Sequence, residues 1–104
     1  MKLLIYGSKG WIGGLFMEYL DQCGDINFFI GMARADDILE LEKELVNVSP
    51  THVISFIGRT HGTVHSGGYS VDINTIDYLE YPGKLVENIR VNLFSPLVLA
   101  GMCK

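Results

Sequence analysis

The chain has 104 residues, 48% of them apolar, with 12 acidic against 8 basic side chains and a net charge of −4. That length allows one domain, and that apolar fraction suits a packed core rather than a disordered chain. The basic residues are dispersed and form no stripe for nucleic acid, and no apolar run approaches the ~20 residues of a bilayer span.

No charged leader with a small-residue cleavage site precedes the first strand. The expected setting is therefore soluble and cytoplasmic, with Cys23 and Cys103 as free thiols.

In chain order, the apolar run at residues 3–6 predicts a strand that ends on Gly7. Glycines recur at Gly10 and Gly13, and a helical pattern (Trp11, Ile12, Leu15, Phe16, Tyr19, Leu20) begins at once. Strand, glycine turn and helix together present free backbone N–H groups to a phosphate. The first glycine allows the turn, the second lets backbone approach a pyrophosphate, and the third lets helix and strand pack closely. The helix N-terminus adds about half a positive charge. The spacing is Gly-x-x-Gly-x-x-Gly, one residue longer between the first two glycines than the common fingerprint.

Residues 23–25 read as the helix stop, and residues 26–30 as a second strand ending at Gly31. Asp36 and Asp37 are placed to cap a second helix reaching Val48, with Ile38, Leu41, Leu45 and Val48 as its apolar positions. Glu40 to Glu44 reads as that helix's solvated face. Ser49-Pro50 stops it, and residues 51–57 predict a third strand covered on both faces. Alternating strands and helices with short joins predict right-handed crossovers and a parallel sheet.

Residues 58–74 lose hydrophobic periodicity and read as a long loop, functional or mobile, leaving the carboxyl end of a strand. Within it His61 and His65 lack the partners that a metal site needs. Residues 84–102 predict a long helix with Leu85, Ile89, Leu93, Leu97 and Ala100 on one face and a kink or break at Pro96. Its apolar end expects neighbours. The chain thus reads as α/β, the N-terminal part of a Rossmann-type three-layer fold truncated before a catalytic part. The alternative is a small domain that covers the same surface as a homodimer.

The end of the second strand decides the cofactor. An NAD site usually carries Asp or Glu there, about 20 residues past the glycines. Here Arg34 follows Ala33, and a guanidinium suits a 2′-phosphate by bidentate contact. NADP is the preferred reading, and NAD stays open because Asp36 and Asp37 are close.

Four words, Tyr6-Gly-Ser-Lys-Gly-Trp-Ile-Gly13, Pro50-Thr-His-Val53, Ile76-Asp-Tyr-Leu-Glu80 and Arg90-Val-Asn92, span nearly the whole chain. Through them it resembles the extended short-chain dehydrogenase/reductase family. Within it the chain is most similar to the nucleotide-sugar 4-keto-reductase branch, with its dTDP-4-dehydrorhamnose reductases and UDP-rhamnose epimerase/reductases.

The resemblance implies that Gly7, Ser8, Lys9, Gly10, Trp11, Ile12 and Gly13 cradle the cofactor's pyrophosphate. Ser8 and Lys9 would reach its phosphates or adenosine ribose. Ser55-Phe56-Ile57-Gly58 stands where the family often has Asn-Ala-Ala-Gly beside the cofactor, with Phe56 and Ile57 far bulkier. Thr60 falls where a family threonine approaches the cofactor, and Asn92 matches a structural helix asparagine. The implied substrate is a nucleotide sugar, bound partly by residues 59–62.

The family's chemistry uses a Tyr-x-x-x-Lys pair, and none of Tyr6, Tyr19, Tyr69, Tyr78 or Tyr81 has a lysine four residues on. The chain is therefore expected to bind cofactor while the chemistry belongs to a longer parent. The competing readings are a non-catalytic dinucleotide-binding module and a small flavodoxin-like interaction domain.

Overall fold

A computed structural model describes residues 1–59 and 61–104 of the chain. Its centre is β1 (Lys2–Tyr6), whose last four residues are buried, as a strand covered on both faces requires. Successive side chains leave on opposite faces. Leu4 and Tyr6 join Leu41 and Leu99 on one side, while Leu3 and Ile5 join Leu20 on the other.

β1 pairs in parallel with β2 (Asn27–Ile30) on one edge and β3 (His52–Ser55) on the other, so the order is β2-β1-β3. α1 (Trp11–Cys23) supplies Leu20 to one face, and α2 (Ile38–Val48) supplies Leu41 to the other. This is the expected three-layer α/β arrangement. The predicted strands and helices stand within a few residues of their expected bounds, and α2 is capped by Asp37, whose Oδ1 accepts the Glu40 N–H at 3.2 Å. Among the described residues no helix is long and apolar enough to cross a membrane, and Cys23 and Cys103 are free.

The stretch expected as one long loop holds a hairpin instead. β4 (Gly62–Ser66) runs antiparallel to β5 (Tyr69–Ile73), with Ser66 opposite Tyr69 at the turn. Gly67 and Gly68 take φ of 55° and 82°, the pair of positive angles a two-residue hairpin loop needs. These strands carry no core face, so periodicity hides them, but Gly67-Gly68 between two short segments that hold Thr63, Val64, Val71 and Ile73 is the readable signal. Tyr78, buried in a 3-10 turn (Ile76–Glu80), anchors the hairpin. A Cβ on Gly62 would come within 2.5 Å of its ring.

The last helix is continuous. α3 (Lys84–Ile89) passes through a π turn (Arg90–Phe94) into α4 (Ser95–Met102), with the Ser95 N–H donating to the Arg90 carbonyl. Pro96 cannot donate and its ring crowds the preceding turn. The widened turn absorbs this, so the expected kink or break takes the form of a π turn.

The expected apolar face is not the buried one. Leu85, Ile89, Leu93 and Leu97 are 47 to 65% exposed, while Ser95 and Leu99 are buried with Val98 and Met102 packed beside Leu99. Periodicity reveals a stripe, but the sheet chooses which flank to cover.

Candidate cofactor-binding site

Each of the three glycines after β1 answers a different constraint. Gly7 has φ of +79°, and a Cβ on it would lie 2.7 Å from the Phe56 carbonyl carbon. Gly13 is buried in α1, where a Cβ would fall 2.0 Å from the Gly7 oxygen. Gly10 is the opposite case. Its φ is −72°, and among the described residues an added Cβ would approach only the Gly7 oxygen, at 3.6 Å.

Gly7 and Gly13 thus hold turn and helix together, and Gly10 leaves open space in front of them. The Gly10 N–H closes the turn on the Gly7 oxygen at 3.2 Å. As N-cap of α1 Gly10 brings no side chain, so the helix's first N–H groups carry no side-chain cap, unlike those of α2.

A cavity of about 340 Å³ opens here, at the carboxyl ends of β1 and β3, where the chain diverges to opposite sides of the sheet. Of the residues picked from sequence, Gly7, Gly10, Arg34, Phe56, Ile57 and Gly58 line it. Ser8, Lys9, Trp11 and Ile12 lie on the turn and the start of α1 without forming its wall, and Gly13 is packed beneath. Thr60 lies outside the described residues.

Ala33, Ala35, Val91 and Ser95 in this wall were not expected from sequence, Asp36 was expected chiefly as a helix cap, and Arg59 as a sugar contact. Val91 and Ser95 arrive from the π turn and α4, a placement that only the tertiary fold decides. The bulk of Phe56 and Ile57 has a structural outlet. Phe56 packs on Phe16, ring centroids 5.2 Å apart, and Ile57 packs on the Leu4 cluster, so the two cores on either face take up these side chains.

The loop after β2 is held from below. Glu44 does not belong to a solvated face, as its spacing suggested. Its carboxylate accepts the Met32 N–H at 2.8 Å and the Ala33 N–H at 3.2 Å. Beside it the Tyr6 hydroxyl is buried, with no hydrogen-bond partner among the described residues. Burial first, then the Glu44 carboxylate, push the Tyr6 pKa up, so the phenol stays neutral.

Asp36 is not a helix cap. Its carboxylate takes Arg34 Nε at 3.0 Å and Arg34 Nη2 at 3.2 Å, with Arg90 Nε at 4.0 Å. The Arg34 guanidinium holds the Asp36 carboxyl below the usual carboxylate range against the opposing effect of burial, and Arg90 adds the least.

Arg59 closes the other end. Its backbone N–H donates to Asn92 Oδ1 at 2.8 Å and its carbonyl accepts from Asn92 Nδ2 at 2.9 Å, so a single side chain pins it both ways. The Arg59 guanidinium pairs with Glu87, which also accepts from Lys84 and Tyr78 at 3.3 Å. Burial pushes the Glu87 carboxyl up, but Lys84 and Arg59 together outweigh it and leave the pKa lowered.

A second cavity, of about 590 Å³, has Gly58 and Arg59 in common with the first and continues past His61, Tyr78 and Lys84. Among the described residues no three His, Cys, Asp or Glu side chains group as metal ligands.

No protein-family model matches the chain. It is 49% identical over all 104 residues to protein L780 of Acanthamoeba polyphaga mimivirus, covering 33% of that protein. The crystal structure of the L780 UDP-rhamnose synthase matches 99% of this chain with a TM-score of 0.84 at 48% identity.

A trifunctional UDP-glucose 4,6-dehydratase/UDP-4-keto-6-deoxy-D-glucose 3,5-epimerase/UDP-4-keto-L-rhamnose-reductase of Arabidopsis thaliana, RHM1, is 34% identical over 104 residues, which cover 14% of its length. The UDP-glucose 4-epimerase of Thermus thermophilus, solved with NAD, matches 99% of this chain and 33% of its own with a TM-score of 0.67. At 19% identity that is a likeness of fold alone. The chain spans a third or less of each of these proteins. Along its whole length, in sequence and in its Rossmann-type architecture, the chain matches part of the nucleotide-sugar reductase family.

Proposed function

We propose that this chain forms the cofactor-binding part of an oxidoreductase that uses NADPH to reduce a 4-keto-6-deoxy nucleotide sugar of the rhamnose type, with 3,5-epimerisation as an accompanying activity. The observation that carries the reading is the outward-open Gly10 in a turn otherwise locked by Gly7 and Gly13, at the switch point of the sheet. That geometry suits a pyrophosphate, which would sit on the uncapped start of α1.

Arg34, at the rim, would meet a 2′-phosphate on the adenosine ribose. The cofactor, when bound, supplies the hydride. Gly58 and Arg59, common to both cavities, would stand between the cofactor's reactive end and the sugar. The Asn92 clamp would fix the backbone there. No tyrosine of this chain has a lysine four residues on, so the proton-donating pair of the reaction would come from outside these 104 residues.

The test is fluorescence titration of the intact protein with NADPH and NADH, alongside a Gly10→Val variant. Among the described residues a Cβ at Gly10 meets nothing closer than 3.6 Å, so folding should be kept while the pyrophosphate is obstructed. Saturable binding that weakens at least about tenfold in the variant, with unchanged circular dichroism, is the expected result. Absence of saturable binding by either dinucleotide would refute the proposal.

A further inference from the structure

Resting on the cofactor reading above, we propose that Arg90 is a second recognition residue for the adenosine 2′-phosphate and that the Asp36 carboxylate occupies the phosphate's place until the cofactor arrives. Asp36 is largely shielded, its side chain 16% exposed, and both its oxygens are engaged by Arg34. Arg90 approaches from the π turn, so two guanidinium groups carried by separate elements converge on one carboxylate. Asp37 lines the same cleft but its carboxylate caps α2 on the Glu40 N–H, so Asp36 is the carboxylate the two guanidinium groups share.

At 4.0 Å Arg90 Nε stands beyond hydrogen-bonding distance of Asp36 Oδ2, so its donors are not spent on that group. Arg34, Asp36 and Arg90 line one cleft, and Arg34 and Asp36 also line the cavity beside the glycine turn. A phosphate monoester suits this fork better than the resident carboxylate, since it brings about −1.5 to −2 charges and three acceptor oxygens.

The arrangement makes cofactor choice a competition. A 2′-phosphate must take the Arg34 fork away from Asp36 and endure repulsion from it. A 2′-hydroxyl leaves the ion pair standing and can donate to the same carboxylate. Arg90 therefore favours NADPH, and Asp36 opposes that preference. An isolated exposed ion pair would carry no such meaning, because exposed pairs contribute little. The shielded carboxylate between two arginines at the mouth of the cavity is what distinguishes this one.

The experiment titrates the intact protein and its Arg90→Gln, Arg90→Lys and Asp36→Asn variants with NADPH and NADH. It repeats the series with 2′,5′-ADP against 5′-AMP, which differ only in the 2′-phosphate. Arg90→Gln should weaken NADPH and 2′,5′-ADP about tenfold while NADH and 5′-AMP stay within about twofold. Arg90→Lys, which keeps the charge without the fork, should fall between, and Asp36→Asn should move the NADPH-to-NADH ratio the opposite way. Equal effects of Arg90→Gln on both members of each pair, or a ratio unmoved by Asp36→Asn, would overturn the assignment while leaving cofactor binding intact. Failure of the unaltered protein to bind either dinucleotide would overturn the cofactor reading as well.

Discussion

Gly10 and Gly13 stand one helical turn apart and tolerate change in opposite ways. An alanine methyl at Gly13 would overlap the Gly7 carbonyl oxygen, which is backbone and cannot rotate aside. Helix and turn would have to separate, at a cost of about 1–3 kcal/mol. Gly13→Ala should therefore lower the melting temperature by several degrees with or without cofactor, whereas Gly10→Val should melt close to the parent. Parallel thermal melts check this, and equal stability of the two variants would refute the packing role.

This part of the site was legible because the demands are local: a positive φ, a close approach, an open front. Glu44 and Asp36 were not legible. Their spacing fits a solvated helix and a cap as well as it fits a strut under the β2–α2 loop and an arginine partner. Only the fold places Met32, Ala33 and Arg90 within their reach.

At the scale of elements, β1, α1, α2 and β3 could be read from periodicity and caps, since each has a face that must be covered. The hairpin β4–β5 has no such face. Its cross-strand links are polar, Thr63 to Asp72 at 2.7 Å and His65 to Ser70 at 2.8 Å. The wall contributed by Val91 and Ser95 depends on how the π turn lays the last helix against the sheet, which no local pattern encodes.

Asp36 is paired chiefly with Arg34 inside the β2–α2 connection, and pH should reveal that pair. The Asp36 pKa is depressed by folding, so its stabilisation is complete above the ordinary carboxylate value near pH 4 and is lost as pH falls through the lower folded value. The stability difference between the parent and Asp36→Asn should be level from about pH 8 to 5 and shrink below about pH 4. Denaturant unfolding of both proteins across that range measures it, and a difference that grows in acid would exclude the ion pair.

The whole molecule is elongated, 49 × 30 × 19 Å, with a radius of gyration of 15.7 Å against about 13 Å for a compact domain of this size. The reason is visible in its parts. Two small apolar clusters flank β1, and the hairpin packs on the 3-10 turn through Tyr78 rather than on either cluster. Large apolar side chains also face outward, Trp11 on α1 and the Leu85–Leu97 stripe on the last helix among them.

Rigidity is therefore unevenly distributed, and β1 holds most of it. With a strand on each side and helices above and below, its main-chain N–H groups meet deuterium only when the whole sheet opens. Leu4 and Ile5 should exchange last and the β4–β5 hairpin first, as mass spectrometry of timed deuterium uptake would show. Simultaneous labelling of both would contradict this ordering. The base of the cleft would then keep its shape through every fluctuation of its outer margin, so a dinucleotide would meet the same floor however its far wall happens to stand.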